Sequence, residues 1–306
     1  MNPLDFRLNL SRAEVQRFFH YLYLRNAVWR QRIDKQPIDY EGDNILAKYK
    51  FMNIWRELDT FSQWEINETR DKVLSYAMPT IIVGRMVLNP VTTRFLIDGG
   101  SYFTRDELIH FLRDTFDRPE QAVGDAIERY DTSNWESLTA QLLRFRSRVT
   151  VQPLDMLCAA IELNTCTPHQ LMELVQKLFK VTAFDAYEIV TSFTYLGRKE
   201  ITENHIYHMG HGARPALAML YGYQVPTEYE YLALSSLAYE VKWHLEQGII
   251  PSWEWIPQSM QGNVMATELH KWTLRTMEDA LCEFRKYETI YRGGQGRRLY
   301  REQINE

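Results

Sequence analysis

Between Lys50 and Trp64 the chain sets Asn53, Arg56, Glu57 and Asp59 among Phe51, Trp55, Leu58, Phe61 and Trp64. A surface helix does not need an asparagine, an arginine and two carboxylates packed around tryptophans. Phe51, Ile54, Trp55, Leu58 and Phe61 recur at three- and four-residue spacing, which predicts one amphipathic helix over Ile45–Trp64. At about 3.6 residues per turn, Asp59 falls at the edge of the apolar stripe beside Trp55, with Arg56 and Gln63 on its face. The plain alternative is a core helix carrying a weak, solvent-exposed Arg56–Asp59 pair.

Two further groupings carry chemistry. In His208-Met209-Gly210-His211-Gly212-Ala213-Arg214-Pro215, glycines permit close backbone approach, Pro215 suits a helical first turn, and free N–H groups there can face an anion with Arg214 beside them. An ordinary tight turn into a helix explains the same residues. His205, His208 and His211 are evenly spaced, but no nearby cysteine or carboxylate completes a zinc set, so no metal is expected and His211 is read as a polar group near the anion site. The stretch Thr276–Arg298 places Met277, Leu281 and Phe284 on one helical face and Asp279, Glu283 and Lys286 on another. Basic clusters at Arg25/Arg30/Arg32/Lys35 and Arg292/Arg297/Arg298/Arg301 are either solvated surface or a nucleic-acid face.

The elements that must position these residues read as helices. Ser11 and Glu14 suggest a capping box opening a helix to about Arg32. Residues 67–88 read as one or two helices broken around Pro79, and the apolar run Ile81–Leu88 is read as buried helix rather than strand. Thr104 is a candidate N-cap for a helix over Ser101–Asp117. A basic amphipathic stretch covers 138–148, a short apolar helix 154–163, and Thr167-Pro168 opens a helix to Phe179. Another helix begins at Ala183. No Gly-x-Gly-x-x-Gly follows a strand and no phosphate-binding loop with Gly-Lys-Ser/Thr occurs, so the chain carries no kinase module of its own. The expected fold is all-α and compact: a single helical unit over 1–306, or two intimate lobes of about 1–150 and 151–306.

The 306 residues suffice for a substantial core, and eight tryptophans with eighteen tyrosines argue against disorder. A net charge of −5 argues against a non-specific nucleic-acid coat while leaving a local basic face open. No apolar run approaches the roughly twenty residues of a membrane span. Cys158, Cys166 and Cys282 show no zinc spacing and cannot all pair, which suits a reducing cytoplasm.

Lys50-Phe51-Met52-Asn53-Ile54-Trp55-Arg56-Glu57-Leu58-Asp59, preceded by the Arg-rich 24–35 stretch and Pro37, resembles the opening of the alpha-glutamyl/putrescinyl thymine pyrophosphorylase family, the amino acid:DNA transferases. That family is related to the helical domain of 5-hydroxymethyluracil DNA kinases. Arg85, Asn89 and Thr93, the 183–190 and 210–217 stretches, and above all Leu281-Cys282-Glu283-Phe284-Arg285-Lys286-Tyr287 resemble later family motifs in order. Pro37-Ile38-Asp39-Tyr40 and His211 depart from the pattern.

The resemblance implies a helical fold distantly like helix-hairpin-helix DNA glycosylases. It also implies a reaction on DNA whose 5-hydroxymethyluracil an upstream kinase has converted to a pyrophosphate ester. A free amino acid such as glycine, or a polyamine such as putrescine, would displace pyrophosphate at the exocyclic methylene, with no cofactor. On that reading Asp59, then Glu283 and His211, are the candidate bases. Arg56, Asn53, Gly210, Gly212, Arg214, Lys286, Arg25, Arg30, Arg85 and Arg297 would hold pyrophosphate or DNA. Trp55, Tyr287 and Trp64 would stack on a base turned out of the duplex. The rivals are a base-excision glycosylase and a non-catalytic DNA-binding adaptor of a kinase.

Overall fold

A computed structural model describes residues 6–53, 55–99, 103–196, 206–247 and 272–296. Among them every regular element is helical and no β-strand occurs, so the expected all-α class holds. The chain divides into two units, one from Met1–Asp59 with Tyr207–Glu306 and one from Thr60–Ile206. The position near residue 150 at which two lobes would have met lies inside the second unit, in the turn between two of its helices.

The first unit is built from two separate stretches of the chain. Helix α1 (Ala13–Ile33) is long, and Val15, Phe18, Tyr21, Leu22 and Val28 on its inner face are fully or almost fully buried. They meet α11 (Ala213–Tyr221), α12 (Glu230–Glu246) and α13 (Leu274–Tyr291) through Leu217, Leu220, Leu234, Leu237, Met277, Leu281 and Phe284. Helix α13 packs against α1, α11, α12 and the short α2 (Asn44–Lys48), so it is the spine of this unit. The box expected at Ser11 is absent: Arg12 takes the N-cap position without a side-chain cap, and the Ser11 hydroxyl donates to Asn9 Oδ1 at 2.7 Å.

The second unit runs through α3 (Thr60–Thr69), α4 (Leu74–Val87), α5 (Pro90–Asp98), α6 (Arg105–Thr115), a 3-10 stretch (Pro119–Arg129), α7 (Trp135–Arg146), α8 (Val151–Glu162), α9 (Pro168–Phe179) and α10 (Ala183–Thr194). Helix α4 is the buried helix expected from Ile81–Leu88, and Ile81, Ile82, Val83 and Val87 are wholly enclosed. Pro79 does not break it. The break lies earlier, between Thr69 and Leu74, and Pro79 sits inside a helix whose burial outweighs one missing hydrogen bond. Thr104, Thr167 and Thr182 each close a reciprocal capping box, and Pro168 occupies the first turn of α9.

The single helix expected over Ile45–Trp64 is not formed. Helix α2 stops at Lys48, residues 49–53 and 55 are non-helical, Arg56–Leu58 make one 3-10 turn, and α3 starts at Thr60.

Candidate functional site

The backbone between α2 and α3 is held by side chains in place of a helical ladder. Arg25, on the buried side of α1, donates from Nη2 to the Phe51 carbonyl at 2.6 Å and from Nε to the Met52 carbonyl at 3.1 Å. Glu283, on α13, accepts from the Met52 N–H at 3.0 Å. Asp59 accepts from the Asn53 N–H at 3.2 Å, and Asn53 Oδ1 accepts from the Trp55 N–H at 3.2 Å. Backbone donors and acceptors must be satisfied somewhere, and here these clamps replace the i→i−4 bonds that the apolar spacing alone predicts.

The clamps gather Asn53, Arg56 and Asp59. Arg56 Nη1 lies 3.0 Å from Asp59 Oδ2, with 10 % and 22 % of the two side chains exposed. The pair is therefore partly desolvated, not the loose surface pair of the plain alternative. Burial raises the proton affinity of Asp59 above the ordinary carboxylate value. The Arg56 charge, the Asn53 N–H and the Arg25 charge oppose that shift, and the negative charge of Glu283 adds to it. Glu283 is itself buried and paired with Lys286, whose side chain is 54 % exposed. Asp59, Glu283, Arg56, Asn53 and Lys286 thus form one charged grouping, with Asp59 at the edge of the shell that desolvates it.

The signature on α13 has an architectural role. Glu283 holds Met52, and the Tyr287 hydroxyl donates to Asp43 Oδ2 at 2.6 Å. Asp43 Oδ1 in turn caps α2 through the Ile45 and Leu46 N–H groups. Tyr287 packs among Tyr21, Phe51 and Phe284 at ring separations of 5.1–6.3 Å, so a base-stacking Tyr287 is replaced by a core ring. Trp55 is 2 % exposed and lies 5.3 Å from the Trp272 ring, also in the core. Trp64 belongs to the second unit, where it packs on Phe61. Asp43 closes the acidic stretch Asp39-Tyr40-Glu41-Gly42-Asp43, and nothing local marks it as the partner of Tyr287.

At the start of α11, Gly212 approaches a neighbouring helix instead of a ligand: a Cβ there would meet Cys282 Sγ at 2.5 Å. Cys282 is half-buried, and desolvation pushes its thiol up to about 12, which removes it as a nucleophile. Arg214 is paired with the buried Glu230. Gly210 has open space at its Cβ position apart from the His208 ring, and His211 is exposed. His208 holds its proton less tightly than usual, through burial first and the Arg214 charge second.

Several arginines read as anion ligands are engaged elsewhere. Arg25 is 5 % exposed and occupied by two carbonyls. Arg30 is half-buried on α1. Arg85 belongs to the second unit and is enclosed, with Nη2 2.6 Å from Glu65 Oε2, Nε 2.5 Å from Ser192 Oγ, and Glu188 at 3.9 Å. Burial raises the Glu65 proton affinity against the opposing Arg85 charge. Arg297 lies outside the described residues.

A family model described as "5-hmdU DNA kinase, helical domain" matches residues 12–88 and 136–293. The chain belongs to that family. The match takes in α1, the clamped segment and α13, hence every residue of the charged grouping. The stretch outside it, 89–135, supplies α5, α6 and the 3-10 turns, and is tied to the end of α4: Arg129 donates to the Arg85 carbonyl at 2.8 Å and the Tyr130 hydroxyl to the Met86 carbonyl at 3.2 Å. No curated protein and no solved structure matches the chain. No helix among the described residues is long and apolar enough to cross a membrane.

Proposed function

We propose that this chain modifies DNA containing 5-hydroxymethyluracil, as a transferase that replaces the pyrophosphate of an activated 5-pyrophosphoryloxymethyl group with an amine. The family description supplies the modified base. The observation that carries the reaction class is Asp59, a carboxylate of raised proton affinity beside Arg56 in a segment whose backbone is hydrogen-bonded by side chains. The amine nitrogen forms a bond to the exocyclic methylene carbon. The carbon–oxygen bond breaks, and pyrophosphate leaves with the electron pair. The proton lost by the attacking ammonium passes to Asp59, a base poised for that task by its desolvation. Arg56 and Lys286 supply positive charge where the leaving group gathers negative charge. An upstream DNA kinase makes the ester, and a free amino acid or polyamine is the second substrate.

A second reading is a non-catalytic helical module that delivers DNA to a kinase. It is favoured by the number of charged groups already engaged within the protein, Arg25, Arg214 and Glu283 among them. The experiment is incubation with an oligonucleotide bearing 5-pyrophosphoryloxymethyluracil and a mixture of amino acids and polyamines, followed by mass spectrometry of the digested nucleosides. The transferase gives an amine adduct and pyrophosphate, and Asp59→Asn loses at least about a hundredfold in turnover while still binding DNA. Binding without an adduct supports the adaptor, and an abasic site supports a glycosylase.

A further inference from the structure

Asn53 is 3 % exposed, and the fold uses only half of its amide. Oδ1 accepts the Trp55 N–H at 3.2 Å, which fixes the orientation of the group and leaves Nδ2 as the other arm. Nδ2 is buried with no hydrogen-bond partner. Burying a donor without an acceptor is costly, and native structures seldom leave one. The clamp on Trp55 needs only an acceptor, which an aspartate would provide with no surplus donor. Asn53 sits in a segment where side chains override the helix that the spacing favours, and its backbone N–H donates to Asp59 of the Asp59–Arg56 pair. Departures from local preference of this kind gather at functional sites.

The ligand that fits is an acceptor atom beside the reacting carbon. In a 5-substituted pyrimidine the neighbour of the exocyclic methylene is the C4 substituent, an acceptor oxygen in the uracil series and a donor amino group in the cytosine series. Resting on the function proposed above, we infer that Asn53 is a specificity-determining residue. Its Nδ2 donates to O4 of a uracil-class base turned out of the DNA and brought to Asp59, and it rejects the cytosine-class base, whose amino group would meet another donor.

The test is fluorescence anisotropy with single-stranded oligonucleotides carrying one 5-hydroxymethyluracil, one 5-hydroxymethylcytosine, or one 5-hydroxymethyl-2-pyrimidinone, which has only hydrogen at C4. Wild type should bind the uracil oligonucleotide about tenfold or more tighter than the cytosine one, with the pyrimidinone between them. Asn53→Ala should remove the preference. Asn53→Asp, which keeps the acceptor for Trp55 and so the local fold, should favour cytosine. Thermal melts of each variant report folding, and the wild-type comparison needs no variant at all. Equal binding of the three oligonucleotides by wild type overturns the inference and leaves the transferase standing if adducts form. A uracil preference that survives in a folded Asn53→Asp protein also overturns it. Failure to bind any of the three overturns the inference, and absence of adducts from the pyrophosphate ester overturns the function reading.

Discussion

Asp59 binds its proton more tightly in the folded chain than in the unfolded one, because burial outweighs the attraction of Arg56. The folded state then carries more bound proton than the unfolded state between the ordinary carboxylate value and the raised one. Stability contributed by this group is full below that window and is lost as pH rises through it. Asp59→Asn removes the titration, so thermal melts from pH 4 to 8 should show a shallower decline in Tm for the variant than for wild type. Glu65 is shifted the same way and keeps a residual slope in both proteins, so the difference between the two curves is the observable. Parallel curves would mean that Asp59 titrates alike in both states. At this scale the sequence revealed charge and spacing but not burial. The Arg56–Asp59 pairing was visible as two opposite charges three apart, and the 3-10 turn at Arg56–Leu58 delivers it. Arg25 and Arg85 look like free cations in a sequence, yet each is enclosed and occupied.

The junction of α11 and α13 depends on Gly212, whose absent Cβ leaves room for Cys282 Sγ. Gly212→Ala should destabilise the protein by roughly 1–3 kcal/mol, as overpacked interfaces do. Adding Cys282→Ala removes the clashing sulfur, and the remaining contact to Cys282 Cβ at 3.3 Å is tight but tolerable. In urea unfolding the double variant should therefore recover part of the loss; a simple sum of the single effects would show that the two positions do not interact. Helix boundaries with local signals were legible, as Thr104, Thr167 and Pro168 show. The interruption between α2 and α3 was not, because its causes are remote: Glu283 is 231 residues from Met52 and Arg25 is 26 from Phe51. Periodicity sees neighbours along one helix and is blind to a side chain that arrives from the far end of the chain.

Each of the two units has its own buried core, and the second is continuous in sequence. A fragment spanning 60–206 should accordingly show a helical circular-dichroism spectrum and one cooperative thermal transition; a broad, non-cooperative melt would show that its core is incomplete. The all-α class was legible from the absence of strand signals, whereas the division at residues 59 and 206 was not, since no composition shift marks either point. The discontinuous unit has a consequence for how the protein comes into being. At a synthesis rate of about 5–20 residues per second, α1 leaves the ribosome ~13–52 s before α13, the helix that covers Phe18, Tyr21 and Phe51. For that interval the apolar side of α1 lacks the cover of α13, while the intervening unit can already be complete. The inner face of α1 is thus open to proteases and chaperones until α13 has been made.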